Sequence, residues 1–264
     1  PSPDPLWSRG LGDVYKRQIE TPHLDQLATD GLRFTEFYNT ARCWPTRATL
    51  LSGIYSNGLK KSQVTIAQLL KSAGYQTGMV GKWHLGFKSP NIPNDRGFDF
   101  FHGFLADMMD DYWTHLRGGV NWMRLNKEEV KPEGHATEIF TQWAIDYVKK
   151  QAANKNQPFF LYLAYNAPHF PIQPPKDWLE KVQKREPQLD KKRATNVAFV
   201  EHMDHEIGKF LEVISQLGIA KNTLIIFSSD NGGSIPHGAL NGKLRGGKQD
   251  HWEGGIRVPS CAVW

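Results

Sequence analysis

Apolar positions recur along this chain with two alternating periods. Thr21-Pro22 predicts a capped helix start with proline in the first turn, and Gly31 predicts its end. Leu32 to Tyr38 sets Leu, Phe, Phe and Tyr among polar residues in a strand-like pattern. Pro45 to Leu51 reads as a short helix stopped by Gly53. Thr65 predicts the cap of another, with Ile66, Leu69 and Leu70 on one face and Gly74 behind it. Tyr75 to Val80 follows as a strand. Longer helical periods run from about Thr137 to Lys150 and from about Thr195 to Leu217. Phe159–Tyr165 and Thr223–Phe227 are nearly continuous apolar runs, the pattern of strands buried on both faces.

Alternation of strand and helix predicts an α/β fold, with a doubly wound, mainly parallel sheet and helices on both faces. In such sheets ligands gather at the carboxyl ends of the strands. Three of those ends carry a polar, ionisable residue: Gly81-Lys82-Trp83-His84, Asn166-Ala167-Pro168-His169 and Ser229-Asp230-Asn231-Gly232. Any one would pass as a capped loop; three together are harder to assign to turns alone. A fourth segment places Cys43 just ahead of a helix start, with Pro45 two residues on and Arg47 four residues on. A helix N-terminus offers unpaired N–H groups and a positive dipole end to an anion, and Arg47 adds a fixed charge one turn in.

Composition narrows the field. The 264 residues hold 39% hydrophobic and 22% charged residues, enough apolar content to fold. No apolar run approaches the roughly 20 residues of a membrane helix. Lys plus Arg exceed Asp plus Glu by 32 − 27 = 5, which suits an anionic substrate but does not mark a nucleic-acid binder. Two cysteines, Cys43 and Cys261, cannot build a disulfide scaffold, and ten histidines without an H-E-x-x-H spacing argue against a zinc hydrolase. Nine tryptophans, many beside Gly, Pro and His, read first as loop packing and second as a carbohydrate or aryl pocket.

The segment Cys43-Trp44-Pro45-Thr46-Arg47 matches the C-x-P-[ST]-R signature of the sulfatase family, within the alkaline-phosphatase-like superfamily. Further blocks stand in family order: Gly81–Gly86, Ala167-Pro168-His169, Ser229–Gly232, Gly246-Gly247-Lys248 and Glu253–Pro259. The resemblance covers about Ile19 to the C-terminus. It implies that Cys43 is oxidised to formylglycine by a formylglycine-generating enzyme, and that its hydrate supplies the nucleophilic hydroxyl. It further implies that Arg47 and Lys82 hold that hydrate, that His84 assists loss of sulfate from the covalent intermediate, and that His169 is the general acid or a sulfate ligand. Lys248 would contact the sulfate or the bridging oxygen. Asp230 and Asn231, with the modified Cys43, would bind Ca2+. The expected function is hydrolysis of an aryl or carbohydrate sulfate ester, in a periplasmic or secreted protein.

Departures from the family accompany the match. The family opens with a strand ending in paired aspartates, whereas Leu6 to Asp13 has no such pair. Pro1–Gln18 therefore reads as a non-family tail, and 19–264 as a catalytic domain incomplete at both ends, without the smaller C-terminal subdomain. Asp107, Asp110 and Asp111 form an acidic stretch that reads as a solvated loop. Two other functions remain open at this point: a phosphate or phosphonate ester hydrolase of the same superfamily, and an anion-binding remnant without turnover.

Overall fold

A computed structural model of the protein describes residues 18–264; the expected tail, Gln18 apart, lies outside the described residues. The elements in chain order are α1 (Pro22–Asp30), β1 (Leu32–Phe34), α2 (Cys43–Ser52), α3 (Ile66–Ser72), β2 (Gln76–Lys82), β3 (Phe100–Phe104) and two short strands, β4 (Leu116–Arg117) and β5 (Val120–Asn121). They continue with β6 (Met123–Leu125), β7 (Glu128–Glu129), α4 (Ala136–Ala152), β8 (Phe159–Ala164), α5 (Lys176–Arg185), α6 (Lys191–Gln216), β9 (Ile225–Ser228), α7 (Glu253–Ile256) and β10 (Ser260–Val263). Two compact units divide them. One takes the described residues up to Cys43 together with Ile172–Trp264, and the other is Trp44–Pro171.

The Trp44–Pro171 unit is built on a five-stranded sheet in the order β7-β6-β3-β2-β8. β2 runs parallel to both β3 and β8, while β6 and β7 add antiparallel at the far edge. Helices cover both faces. On one, Gly78 leaves room for the Tyr147 ring of α4. On the other, Met79, Trp83, Phe101 and Leu105 pack with Leu51 of α2 and Ala67 of α3. α3 starts where Thr65 predicts, because a capping box closes there: Thr65 Oγ1 accepts from Gln68 N at 3.1 Å, and Gln68 Oε1 accepts from Thr65 N at 2.9 Å.

In the other unit, β1, β10 and β9 form an antiparallel sheet, with Leu32 opposite Ala262 and Ser260 opposite Ser228. α1 packs against both β10 and α6. It starts at Pro22 as expected, but its cap does not come from Thr21. Thr21 makes no side-chain cap; Asp204 of α6 instead accepts from the backbone N–H groups of His23 at 3.1 Å and Leu24 at 2.9 Å. α6 begins at Lys191 rather than near Thr195, because the Asp190 side chain caps Arg193 N at 3.0 Å. β8 and β9 exist as expected but are only part-covered, since each is the last strand of its sheet among the described residues.

Candidate active site

Within the first unit, backbone bonds gather three of the expected segments. The loop ahead of α2 lies along the others: Ala41 O accepts from Gln249 N at 2.9 Å, and Arg42 Nη2 donates to Gln249 Oε1 at 3.2 Å. Asn39 N donates to Ile256 O at 2.8 Å, and the Asn39 amide donates to Ser229 O. Lys248 N donates to Gly233 O at 3.0 Å. Cys43, the Asp230-Asn231 pair and Lys248 therefore belong to one loop cluster. Ala41 and Gln249, which meet there, both hold left-handed backbone, with φ of 58° and 81°. Cys43 is the first residue of α2, 5% exposed, and both Cys43 and Cys261 are thiols rather than a disulfide.

Asn231 tests the cation expectation directly. Its Nδ2 donates to Gly232 O at 2.9 Å, while its buried Oδ1 has no hydrogen-bond partner. A buried acceptor left unpaired costs roughly 1–3 kcal/mol. An amide oxygen beside the carboxylate of Asp230 is the donor type a hard cation takes, so these residues fit calcium. Two residues supply only part of the six to eight oxygens that calcium prefers.

The second unit collects the cations. Arg47, one turn into α2 and 5% exposed, donates from Nη1 to Lys82 O at 2.6 Å and lies 3.5 Å from the Tyr162 hydroxyl. Lys82 ends β2 and is 1% exposed. His84 follows it with φ 59°, a conformation that costs a non-glycine residue of order 1–3 kcal/mol and is typical of functional positions. Its N–H donates to Leu105 O at 3.1 Å, and the Trp44 ring packs edge-on against the imidazole. β2 can reach this tip because Gly81, at φ 101°, sits where a Cβ would drive into the Ala164 carbonyl.

His169 follows β8, the neighbour of β2, between two cis X-Pro bonds. Tyr112, fully buried, donates to the His169 carbonyl at 3.1 Å. His169 Nδ1 lies 2.7 Å from Phe170 O. A carbonyl can only accept, so Nδ1 carries a proton.

Sequence reasoning overlooked Asn166. It is 5% exposed, and both its amide atoms are without a hydrogen-bond partner. Tyr165 bonds Thr141 of α4, so strand alternation turns Asn166 to the opposite face, that of Tyr162 and Arg47. The available signal was an amide at the tip of an apolar strand. The acidic stretch is solvent-accessible as expected, with the Asp107 and Asp110 side chains 40% and 42% exposed, but local partners order it. Arg117 holds Asp107 at 2.9 Å and Asp110 at 2.9 Å, and Asp111 caps the N–H groups of Trp113 and Thr114. Burial pushes the Asp107 carboxyl up, but Arg117 outweighs it, with a smaller contribution from His84, and the net shift is downward.

Fold and residue set define an α/β protein whose strand tips carry cationic side chains suited to an anion. A sequence model of the Sulfatase family matches residues 7–264, and the chain belongs to that family. It is 34% identical to human N-acetylgalactosamine-6-sulfatase, across 96% of this chain and 54% of the relative. It is 34% identical to mouse arylsulfatase J, across 95% of this chain and 45% of the relative. It thus spans about half the length of the curated relatives it matches. Among solved structures, Ps i-CgsB in complex with k-i-k-neocarrahexaose superposes with a TM-score of 0.87 at 33% identity, covering 99% of this chain and 64% of that one.

Proposed function

We propose that this protein hydrolyses a sulfate monoester, with Cys43 as the site of the nucleophile. The observation that carries the reading is the loop cluster in which Asn39, Ala41 and Arg42, just ahead of Cys43, bond Ser229, next to Asp230-Asn231, and Gln249, next to Lys248. It is supported by α2, which continues from Cys43 to Arg47 and so links nucleophile and cation by one turn of helix.

Oxidised to formylglycine by a formylglycine-generating enzyme, Cys43 would supply a hydrated aldehyde, one hydroxyl of which attacks sulfur as the ester oxygen departs while the other remains for release of the covalent sulfate. Calcium held by Asp230 and Asn231 would add positive charge beside the sulfate oxygens. Arg47 and Lys82 stabilise negative charge as the ester bond breaks, from positions shielded from water where such charges act strongly. His169, its Nδ1–H fixed on Phe170 O, protonates the departing oxygen from Nε2 when in the imidazolium form. His84 serves as the base that takes the proton of the remaining hydroxyl as the C–O bond to the covalently held sulfate breaks, so that sulfate leaves and the aldehyde re-forms. Lys248 binds the sulfate or the bridging oxygen. Similarity to N-acetylgalactosamine-6-sulfatase and to a neocarrahexaose-bound structure favours a carbohydrate sulfate over a simple aryl sulfate.

The test is peptide mass spectrometry after co-expression with a formylglycine-generating enzyme. Conversion of the Cys43 thiol to an aldehyde is expected, together with loss of turnover in Cys43→Ala. Full activity with an unmodified thiol at position 43 would refute the assignment.

A further inference from the structure

We propose that Phe87, backed by Trp122, is a stacking subsite for a saccharide ring next to the sulfated unit; this rests on the sulfate-ester reading above. Phe87 stands three residues after His84 and is 51% exposed. Trp122 lies against its ring with centroids 4.6 Å apart, and the Arg124 guanidinium lies 5.9 Å from the Trp122 centroid. Trp122 itself packs on the core around Trp83, so the stack has a fixed base.

The loop that presents Phe87 is pinned. Trp83 Nε1 donates to Asn91 O at 2.7 Å, and Asn91 N donates to Lys88 O at 3.0 Å. Gly86, at φ 148°, fits against Asn91, where a Cβ would stand 2.6 Å from the Asn91 Cβ. A ring held half in water by this much local structure is pre-organised, and pre-organisation is what a binding site needs.

Position ties the ring to the candidate site. Three residues span at most about 10 Å of chain, so Phe87 stays within a short saccharide's reach of His84. The sheet gives a second link: His84 N donates to Leu105 O, and Leu105 N donates to Trp122 O at 3.1 Å. That places Trp122 two strand spacings from His84, about 10 Å.

Size and charge choose the occupant. Half of a phenylalanine side chain exposes on the order of 100 Å². A stable protein interface needs about 800 Å² per partner, far more than this ring offers. One face of a sugar ring matches it in size. Lys88, exposed beside Phe87, favours a saccharide that carries anionic groups.

The experiment titrates the chain with a sulfated carrageenan hexasaccharide and with the same hexasaccharide desulfated, read by tryptophan fluorescence and calorimetry. Stacking does not require sulfate, so both are expected to bind. Phe87→Ala should weaken both by about three- to tenfold. Phe87→Leu, which keeps the bulk and loses the ring, should weaken them likewise, while Phe87→Tyr should retain affinity. Equal affinities of wild type and Phe87→Ala would overturn the subsite, as would failure of the wild-type chain to bind either saccharide. Phe87-dependent binding in a protein that never releases sulfate would instead refute the hydrolase reading and leave the subsite standing.

Discussion

His169 shows how one backbone contact assigns a chemical role. Its Nδ1–H is bound to Phe170 O and its own carbonyl is held by Tyr112, so the proposed proton donor is Nε2. General-acid help matters most when the departing oxygen is a poor leaving group, and is worth typically ~10²–10⁴-fold. His169→Ala should therefore slow an alkyl or sugar sulfate far more than a nitrophenyl sulfate. Equal losses on the two would reduce His169 to a sulfate ligand and move the acid to Lys248. Cys43, Arg47, Lys82, His84 and His169 were named from strand-tip positions and a family resemblance, and the Arg47–Lys82 contact was visible in neither. Asn166 was not named as a site residue, because nothing in one sequence says that an amide is buried without partners. The Asp107–Arg117–Asp110 cluster escaped for a related reason: its cation comes from β4, beyond any local charge pattern.

α1, α2, α3, α4 and α6 were readable from periodicity while the charge-rich α5 was not, and helix ends depended on tertiary partners. α1 is capped across the fold by Asp204 rather than by Thr21, and that choice has a measurable consequence. Burial pushes the Asp204 carboxyl up to about 6, against an ordinary value of 3.8, with the amide bonds from Leu24 and His23 opposing. Between these values the folded protein holds a proton that the unfolded chain has lost, so stability falls as pH rises through that window. The penalty is absent below the lower value and complete above the upper one, on the order of 3 kcal/mol. Asp204→Asn removes the ionisation, and urea midpoints measured from about pH 4 to about pH 7 should lose this downward slope. An unchanged slope would place its origin elsewhere. β2 offers a second test. Gly81→Ala forces a side chain into the Ala164 carbonyl at a left-handed φ, and should cost about 2–4 kcal/mol in urea denaturation. A loss below about 0.5 kcal/mol would mean that the strands part to admit a methyl group.

Across the molecule, the expected chemistry is distributed between two units. One holds Cys43, Asp230, Asn231 and Lys248; the other holds Arg47, Lys82, His84 and His169; and α2 runs from one set to the other. The α/β class was readable because its strands are apolar runs set between helical periods. The division into two units was not, since it depends on long-range pairings such as β1 with β10. Sulfate and phosphate esters share a geometry and differ in charge, so their comparison bears most directly on function. The decisive measurement is release of inorganic sulfate from a sulfated carrageenan oligosaccharide and from nitrophenyl sulfate, against phosphate from nitrophenyl phosphate, by protein whose Cys43 has been converted to the aldehyde. We expect sulfate release to exceed phosphate release and to vanish in Cys43→Ala. Phosphate release as the faster reaction, or no sulfate release from fully converted protein, would contradict the assignment.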